Sequence, residues 1–280
     1  PEGFSFGAAE ETVLQESFGL AIRSVSTAAM IEKARAVTEA EAAPFLAEAQ
    51  KQLRGFTSLP SVNQKGYAAL MTAYMETASA CDAAALASRC WPDFFTEFGT
   101  PVCAVLSMLC DRGIPAACEG DAMGALTMLF ASLLSGCAVF FGDPSNIDEK
   151  EGTLTFWHCG MAAPSLACSE EGPAVGVHCN RGIGPTMEFG CKGSREATIL
   201  RFGKDRDGTL RLFTAKGEAL ERPRQYHGTS LVVKPAREAG GLIKWAVEDG
   251  WEPHFVIALG DIEEEMRLIA LFSGISYWPY

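Results

Sequence analysis

A chain of 280 residues, 48% of them apolar, carries enough hydrophobic material for one large or two ordinary cores, which excludes a disordered segment and a disulfide-stapled miniprotein. Its 23 basic and 35 acidic residues leave a net charge of −12, spread along the chain, and such a surface repels nucleic-acid phosphates and anionic lipid. Neither a nucleic-acid nor a membrane partner is expected, and no apolar stretch is long enough to span a bilayer.

The first residues, Pro1-Glu-Gly-Phe-Ser-Phe-Gly7, lack the basic start and the apolar core of a signal peptide. A first residue other than Met suits a processed, truncated or partial chain. Residues 28–54 are rich in Ala, Glu, Lys and Leu with apolar positions at helical spacing, and 64–78 repeat the pattern, so two surface helices are expected. Short apolar runs at 83–88, 114–118 and 137–141 then alternate with helical patterns at 102–110 and 121–134, the second closed by Ser135 and Gly136. The third run contains Val139, Phe140 and Phe141, which favour strands. Short buried runs between helices imply right-handed βαβ crossovers and a parallel sheet covered on both faces.

Beyond Asp143 the period changes to two, at 153–157, 197–202, 209–214 and 230–234. Asp205-Arg-Asp-Gly208 offers a glycine suited to positive φ and reads as a hairpin turn. A strand at 254–259 and a helix at 262–272 close the chain. The expected fold class is α/β: a parallel-sheet α/β domain over 1–145, then a mainly antiparallel β domain over 146–280, with the boundary near 143–152.

The ten cysteines lie singly in apolar runs with no Cys-x-x-Cys pair, so they read as small buried hydrophobes in a reducing compartment and argue against structural zinc. A cytoplasmic soluble enzyme is expected.

Glu119 follows the run at 114–118, and Asp143 follows the run at 137–141, which puts both acids at the carboxyl ends of consecutive strands, the edge where open α/β sheets bind ligands. Acids in such places also serve as helix caps, and Asp143 before Pro144 can start a turn. His158 ends the strand at 153–157 and His254 opens the strand at 254–259; each of these two of the four histidines is either a ligand or a hydrogen-bonded core residue. Two carboxylates with one or two imidazoles form a donor set without thiolate, suited to Mn²⁺, Mg²⁺ or Co²⁺.

The stretch from Gly113 through Cys118-Glu-Gly-Asp-Ala-Met-Gly124 to Met128, with Phe140-Phe-Gly-Asp-Pro-Ser-Asn146, Trp157-His-Cys-Gly160 and Pro253-His-Phe255, resembles the metal-binding core of the L-fucose/L-arabinose isomerase family, particularly its fucose-isomerase-like branch. Glu119 and Asp143 lie 24 positions apart, similar to the paired acids of that family. The resemblance implies Mn²⁺ on Glu119, Asp143 and His254, with His158 as a further ligand or a substrate contact. It implies an aldose–ketose isomerase passing through a metal-chelated cis-enediol of a fucose- or arabinose-like sugar. Glu119 and Asp143 would relay the protons, and the protein would form a homo-oligomer, a trimer or hexamer.

The family's N-terminal α/β domain has no counterpart in the chain, which reads as a fragment or a shortened homologue. Trp91, Trp157 and Asn180 are substrate-binding candidates, the two indoles through stacking on a sugar. Arg181 and Lys192 are candidates for a charged or hydroxyl-rich substrate tail. The alternatives are an isomerase of another aldose, sulfonated or branched, and a non-catalytic sugar-binding relative; a metal-dependent hydrolase would need an open coordination position, and the sequence has no His-Glu-x-x-His motif.

Overall fold

The computed structural model describes residues 7–280, and its N-terminal part is helical. The reading of residues 1–6 as lacking a targeting pattern lies outside the described residues. After α1 (Glu11–Phe18), the region expected as one helix over 28–54 is two, α2 (Thr27–Ala36) and α3 (Glu39–Gln52). Thr38 makes the break. Its hydroxyl accepts from the Glu41 backbone N–H while the Glu41 carboxylate accepts from the Thr38 N–H, a capping box that starts a new helix where apolar spacing alone continued the old one. The next helix, α4 (Ser61–Ala80), is not a surface element, because Tyr67, Ala68, Leu70, Met71, Ala73 and Tyr74 are buried.

Strands β1 (Leu86–Ala87) and β2 (Ala116–Ala117) pair in parallel across α5 (Cys103–Asp111), the crossover expected from the first two short runs. The third run departs from expectation. After α6 (Ala122–Ser135), β3 (Phe140–Asp148) runs antiparallel to the following β4 (Thr153–His158) instead of joining β1 and β2. Its first residues, Phe140, Phe141 and Gly142, are all buried, as in a central parallel strand, so burial pattern alone does not separate the two pairings.

Beyond β4 come three short strands, β5 (Val175–Gly176), β6 (Thr186–Met187) and β7 (Phe189–Gly190), then the long hairpin of β8 (Ser194–Lys204) and β9 (Leu210–Leu220). Its turn is closed by the Gly208 N–H donating to Asp205 O, with Gly208 at φ 87° as the sequence required. β10 (Thr229–Pro235), α7 (Ala239–Glu248), β11 (Phe255–Ala258), α8 (Glu263–Phe272) and β12 (Ser276–Pro279) complete the chain.

The large sheet has the order β12-β9-β8-β11-β3-β4-β10-β7, and β9 also pairs with β10. The six strands β9, β8, β11, β3, β4 and β10 therefore close on themselves, every neighbouring pair antiparallel. Closure removes the exposed edges that an open sheet of this length presents. Phe213 on β9 and Phe156 on β4 both meet Phe255 on β11, at centroid distances of 5.0 and 6.1 Å. Those strands are not neighbours, so the contacts cross the barrel interior. Outside the barrel, β12 and β7 add in parallel to β9 and β10, and α6 packs on β8 and β11. β3 thus belongs to a large mixed sheet and runs through residues 143–148, with a shift of register against β4 between Pro144 and Asn146. No helix among the described residues is long and apolar enough to cross a membrane.

Candidate active site

Three of the predicted residues meet at one rim of the barrel because of strand register. Asp143 on β3 faces Trp157 on β4, and Phe255 on β11 faces Gly142, so His254, Asp143 and His158 sit side by side although they are far apart in sequence. Glu119 arrives from the other side, two residues past β2. It adopts φ 62°, a left-handed conformation that a non-glycine residue holds only when its surroundings impose it, and Gly120 follows at φ 71°. The Gly120 N–H donates to Ser88 O at 2.9 Å, tying this turn to the segment after β1.

His254 Nε2 lies 3.3 Å from Glu119 Oε2 and 3.8 Å from Asp143 Oδ1. Ligand atoms of Glu119, His158 and His254 fall within 4.8 Å of one another. Adjacent donors around an octahedral ion with bonds of about 2.1 Å are roughly 3 Å apart, so the three side chains need to move little to share a small divalent cation. Neither predicted acid acts as a cap. That role belongs to Asp121, whose carboxylate accepts from the Gly124 N–H at the start of α6.

Asp121 was missed as a site residue, and so was its partner. Arg201 on β8 donates to both Asp121 oxygens, at 2.6 and 2.9 Å, with both side chains fully buried. The same carboxylate accepts from His254 Nδ1 at 3.0 Å, which fixes the ring and turns Nε2 toward Glu119 and Asp143. An aspartate one residue past Glu119-Gly120 and an arginine inside the apolar strand Ala197-Thr-Ile-Leu-Arg-Phe202 were the available signals; nothing in the spacing links them.

Charge follows from this geometry. Burial opposes ionisation of Asp121, but the Arg201 charge and the hydrogen bonds from His254 and Arg201 outweigh it and hold the carboxyl well below the usual range. Burial likewise pushes Glu119 up, and the His254 hydrogen bond with the charges of His158 and His254 brings it below its ordinary value. For His254, burial favours the neutral ring, yet the hydrogen bonds to Asp121 and Glu119 and the charge of Asp143 raise it to about 9.

His158 differs from His254. Its Nδ1 accepts the Cys159 backbone N–H at 3.0 Å, so the neutral ring carries its proton on Nε2. Behind it, Cys118 and Cys159 lie with His158 in a second close group, and Cys103, Cys159 and His178 form a third. All ten cysteines are free, but Cys137 and Cys179 are exposed and so depart from the reading as buried hydrophobes.

A cavity of about 250 Å³ opens over these residues, with Glu119, Asp143 and His158 in its wall. Trp91, Trp157, Asn180 and Arg181 line the same cavity, so all three substrate-binding candidates are brought together with the acids. The Trp157 Nε1 donates to His227 O at 2.7 Å, which holds the indole in place. Lys192 is not among the lining residues.

No family model matches the chain. Among curated proteins it is 46% identical over 270 residues to the sulfoquinovose isomerase of Clostridium sp. (strain MSTE9), covering 96% of this chain and 60% of that protein. It is 36% identical over 270 residues to the sulfoquinovose isomerase of Alkalicoccus urumqiensis, with the same coverage, and 35% identical over 267 residues to that of Priestia aryabhattai, covering 95% and 59%. The chain therefore spans about 60% of the length of the curated relatives it matches.

Proposed function

We propose that this chain carries the metal site and the acid–base pair of an aldose–ketose isomerase that acts on a sulfonated sugar. The observation that carries the reading is the convergence of Glu119 and Asp143, both in the wall of one cavity, on the Nε2 of the buried His254. The likeness to sulfoquinovose isomerases supports the sulfonated aldose over the fucose- or arabinose-like sugar that the family resemblance implied. A fucose-isomerase-like origin of the metal site belongs to the same proposal.

In this reading Glu119, Asp143 and His254 hold Mn²⁺, or Mg²⁺ or Co²⁺ on the same hard donors, which when bound supplies Lewis-acid polarisation of the vicinal substrate oxygens. Aldose–ketose isomerisation moves a hydrogen from C2 to C1 and a hydroxyl proton from O2 to O1. Of the two carboxylates, one accepts the proton from C2 and returns it to C1, and the other carries the proton between O2 and O1. The exchange needs no external oxidant, and each positioned transfer is worth about 10²–10⁴-fold. Glu119, held below its usual pKa, is ionised at neutral pH and ready to accept. His158, with its proton on Nε2, donates to a sugar oxygen, which makes it a substrate contact in preference to a ligand. Trp91 and Trp157 offer flat faces to the sugar carbons, and the Asn180 amide binds a hydroxyl.

Assembly as a trimer or hexamer is part of the proposal, and the exposed Leu271 and Phe272 on α8 supply apolar surface for it. A cytoplasmic location is consistent with ten free cysteines. The test uses the full-length protein that contains this chain, stripped of metal by chelation and incubated with sulfoquinovose while ketose formation is followed by NMR. Turnover should vanish on chelation and return with Mn²⁺. Absence of ketose at saturating metal would overturn the isomerase reading, and full activity after chelation would overturn the metal.

A further inference from the structure

Besides its acids, the cavity contains one permanent cation. Arg181 is the only lysine or arginine among its described lining residues, in a chain of net charge −12. Its guanidinium lies 4.9 Å above the Trp91 ring and 5.5 Å from that of Phe95. The loop that presents it is tightly built: the His178 N–H donates to Ile183 O, and the Arg181 and Gly182 N–H groups both donate to His178 O. Phe95 in turn meets His178 edge-on at 5.1 Å. No carboxylate pairs with Arg181 among the described residues, whereas Arg201, Arg222 and Arg224 each have one.

We propose that Arg181, held by Trp91 and Phe95, is the anchor for a tetrahedral oxyanion at the end of the substrate remote from the isomerising carbons. The inference rests on the isomerase reading for the identity of that substrate. Its physical basis is charge. With Glu119 and Asp143 committed to the metal in that reading, Arg181 is the cationic side chain left in the described lining to balance an anionic group on the sugar. A guanidinium presents paired N–H donors that match two oxygens of such a group, and stacking on aromatic faces orders its plane beforehand, so little side-chain freedom is lost on binding. Sulfonate and phosphate share this chemistry. An anchor for a group remote from C1 and C2 contributes equally to ground state and transition state, and its loss appears in KM with kcat retained.

The experiment compares wild type with Arg181→Met, which keeps the apolar stem against the rings, and Arg181→Lys, which keeps the charge without the fork. The full-length Mn²⁺-loaded protein is assayed for turnover, and for binding by calorimetry, with sulfoquinovose, glucose 6-phosphate and the uncharged 6-deoxyglucose. For Arg181→Met, KM and Kd for sulfoquinovose should rise roughly 10- to 100-fold, the loss expected for a charge-assisted hydrogen-bonded contact, and far more than those for 6-deoxyglucose. Arg181→Lys should recover only part. Preference for glucose 6-phosphate over sulfoquinovose, still lost in Arg181→Met, would keep the anchor and identify phosphate as its ligand. Equal losses for charged and uncharged sugars, or unchanged sulfoquinovose binding in Arg181→Met, would overturn the anchor while leaving the isomerase intact. Arg181-dependent binding of sulfoquinovose without turnover would sustain the anchor and overturn the isomerase; no binding of any of the three sugars by wild type would overturn both.

Discussion

Replacing Arg201 by methionine probes how the buried pair beneath His254 is coupled to metal binding. Both members of the Arg201–Asp121 pair are fully buried and joined by two contacts of 2.6 and 2.9 Å. Methionine fills part of the volume but leaves the Asp121 carboxylate in the core without its compensating charge, and removing one member of a buried pair costs about 3–5 kcal/mol. At about 2–4 °C per kcal/mol for a domain of this size, Tm should fall by roughly 6–20 °C in differential scanning calorimetry. The second effect runs through His254, whose Nδ1 is held by the same carboxylate. Disturbing such an outer partner typically weakens metal affinity about 10–100-fold, measurable by Mn²⁺ titration with electron paramagnetic resonance. The double variant Asp121→Leu/Arg201→Met separates the two effects. It removes both charges, so stability should largely return, short of about 1 kcal/mol for the lost α6 cap, while affinity should not, because His254 then lacks its acceptor. A Tm shift below about 2 °C with unchanged Mn²⁺ affinity in the single variant, or recovery of affinity in the double one, would refute the coupling.

Glu119→Gln should leave circular dichroism near wild type while lowering turnover about 10²–10⁴-fold; near-normal turnover would remove Glu119 from the proton relay. Protonated His254 stabilises the metal-free fold because its pKa is raised, so that contribution is complete below pH ~6.5 and fades as pH rises through about 9. The metal-free protein should therefore lose Tm over this interval while Mn²⁺ affinity tightens, since the metal no longer displaces a proton; a flat Tm there would contradict the assignment. The depressed Asp121 and Glu119 act in the opposite direction, their contribution being lost on acidification below pH ~4. Gly124→Ala would put a methyl 2.5 Å from Phe141 Cε2 and 2.7 Å from Asp121 Oδ2, and thermal melting should show a cost of about 1–3 kcal/mol; a neutral result would mean that α6 can lift from β3 freely.

Local pattern determined a good deal of this molecule. Period-two segments located β4, β8 and β10 to within a few residues and the start of β9, whose second half went unread, and the Asp205–Gly208 turn joined two of them, because alternation and turn chemistry are properties of a few adjacent residues. The short runs ending before Glu119 marked β1 and β2 for the same reason, and the family resemblance selected Glu119, Asp143 and His254, which the fold brings within 3.8 Å contacts centred on one imidazole nitrogen. Apolar spacing placed α5, α6 and α8 nearly to the residue, but it ran on unbroken through Thr38 and Glu41, whose capping box divides α2 from α3.

Tertiary structure decided the rest. Whether Phe140–Asp148 extends a parallel sheet or enters an antiparallel barrel depends on partners more than a hundred residues away, since a strand with a buried start looks alike in both settings. The pairing of β9 with β10 that closes the barrel leaves no local trace. Asp121 fell in a helical pattern and Arg201 inside a period-two strand, neither singled out; folding joins them across 80 positions into the support of His254. Only packing could show that Arg181 is stacked on two rings at the wall of the cavity, with no carboxylate partner among the described residues, because such a placement depends on which distant rings and charges lie around it.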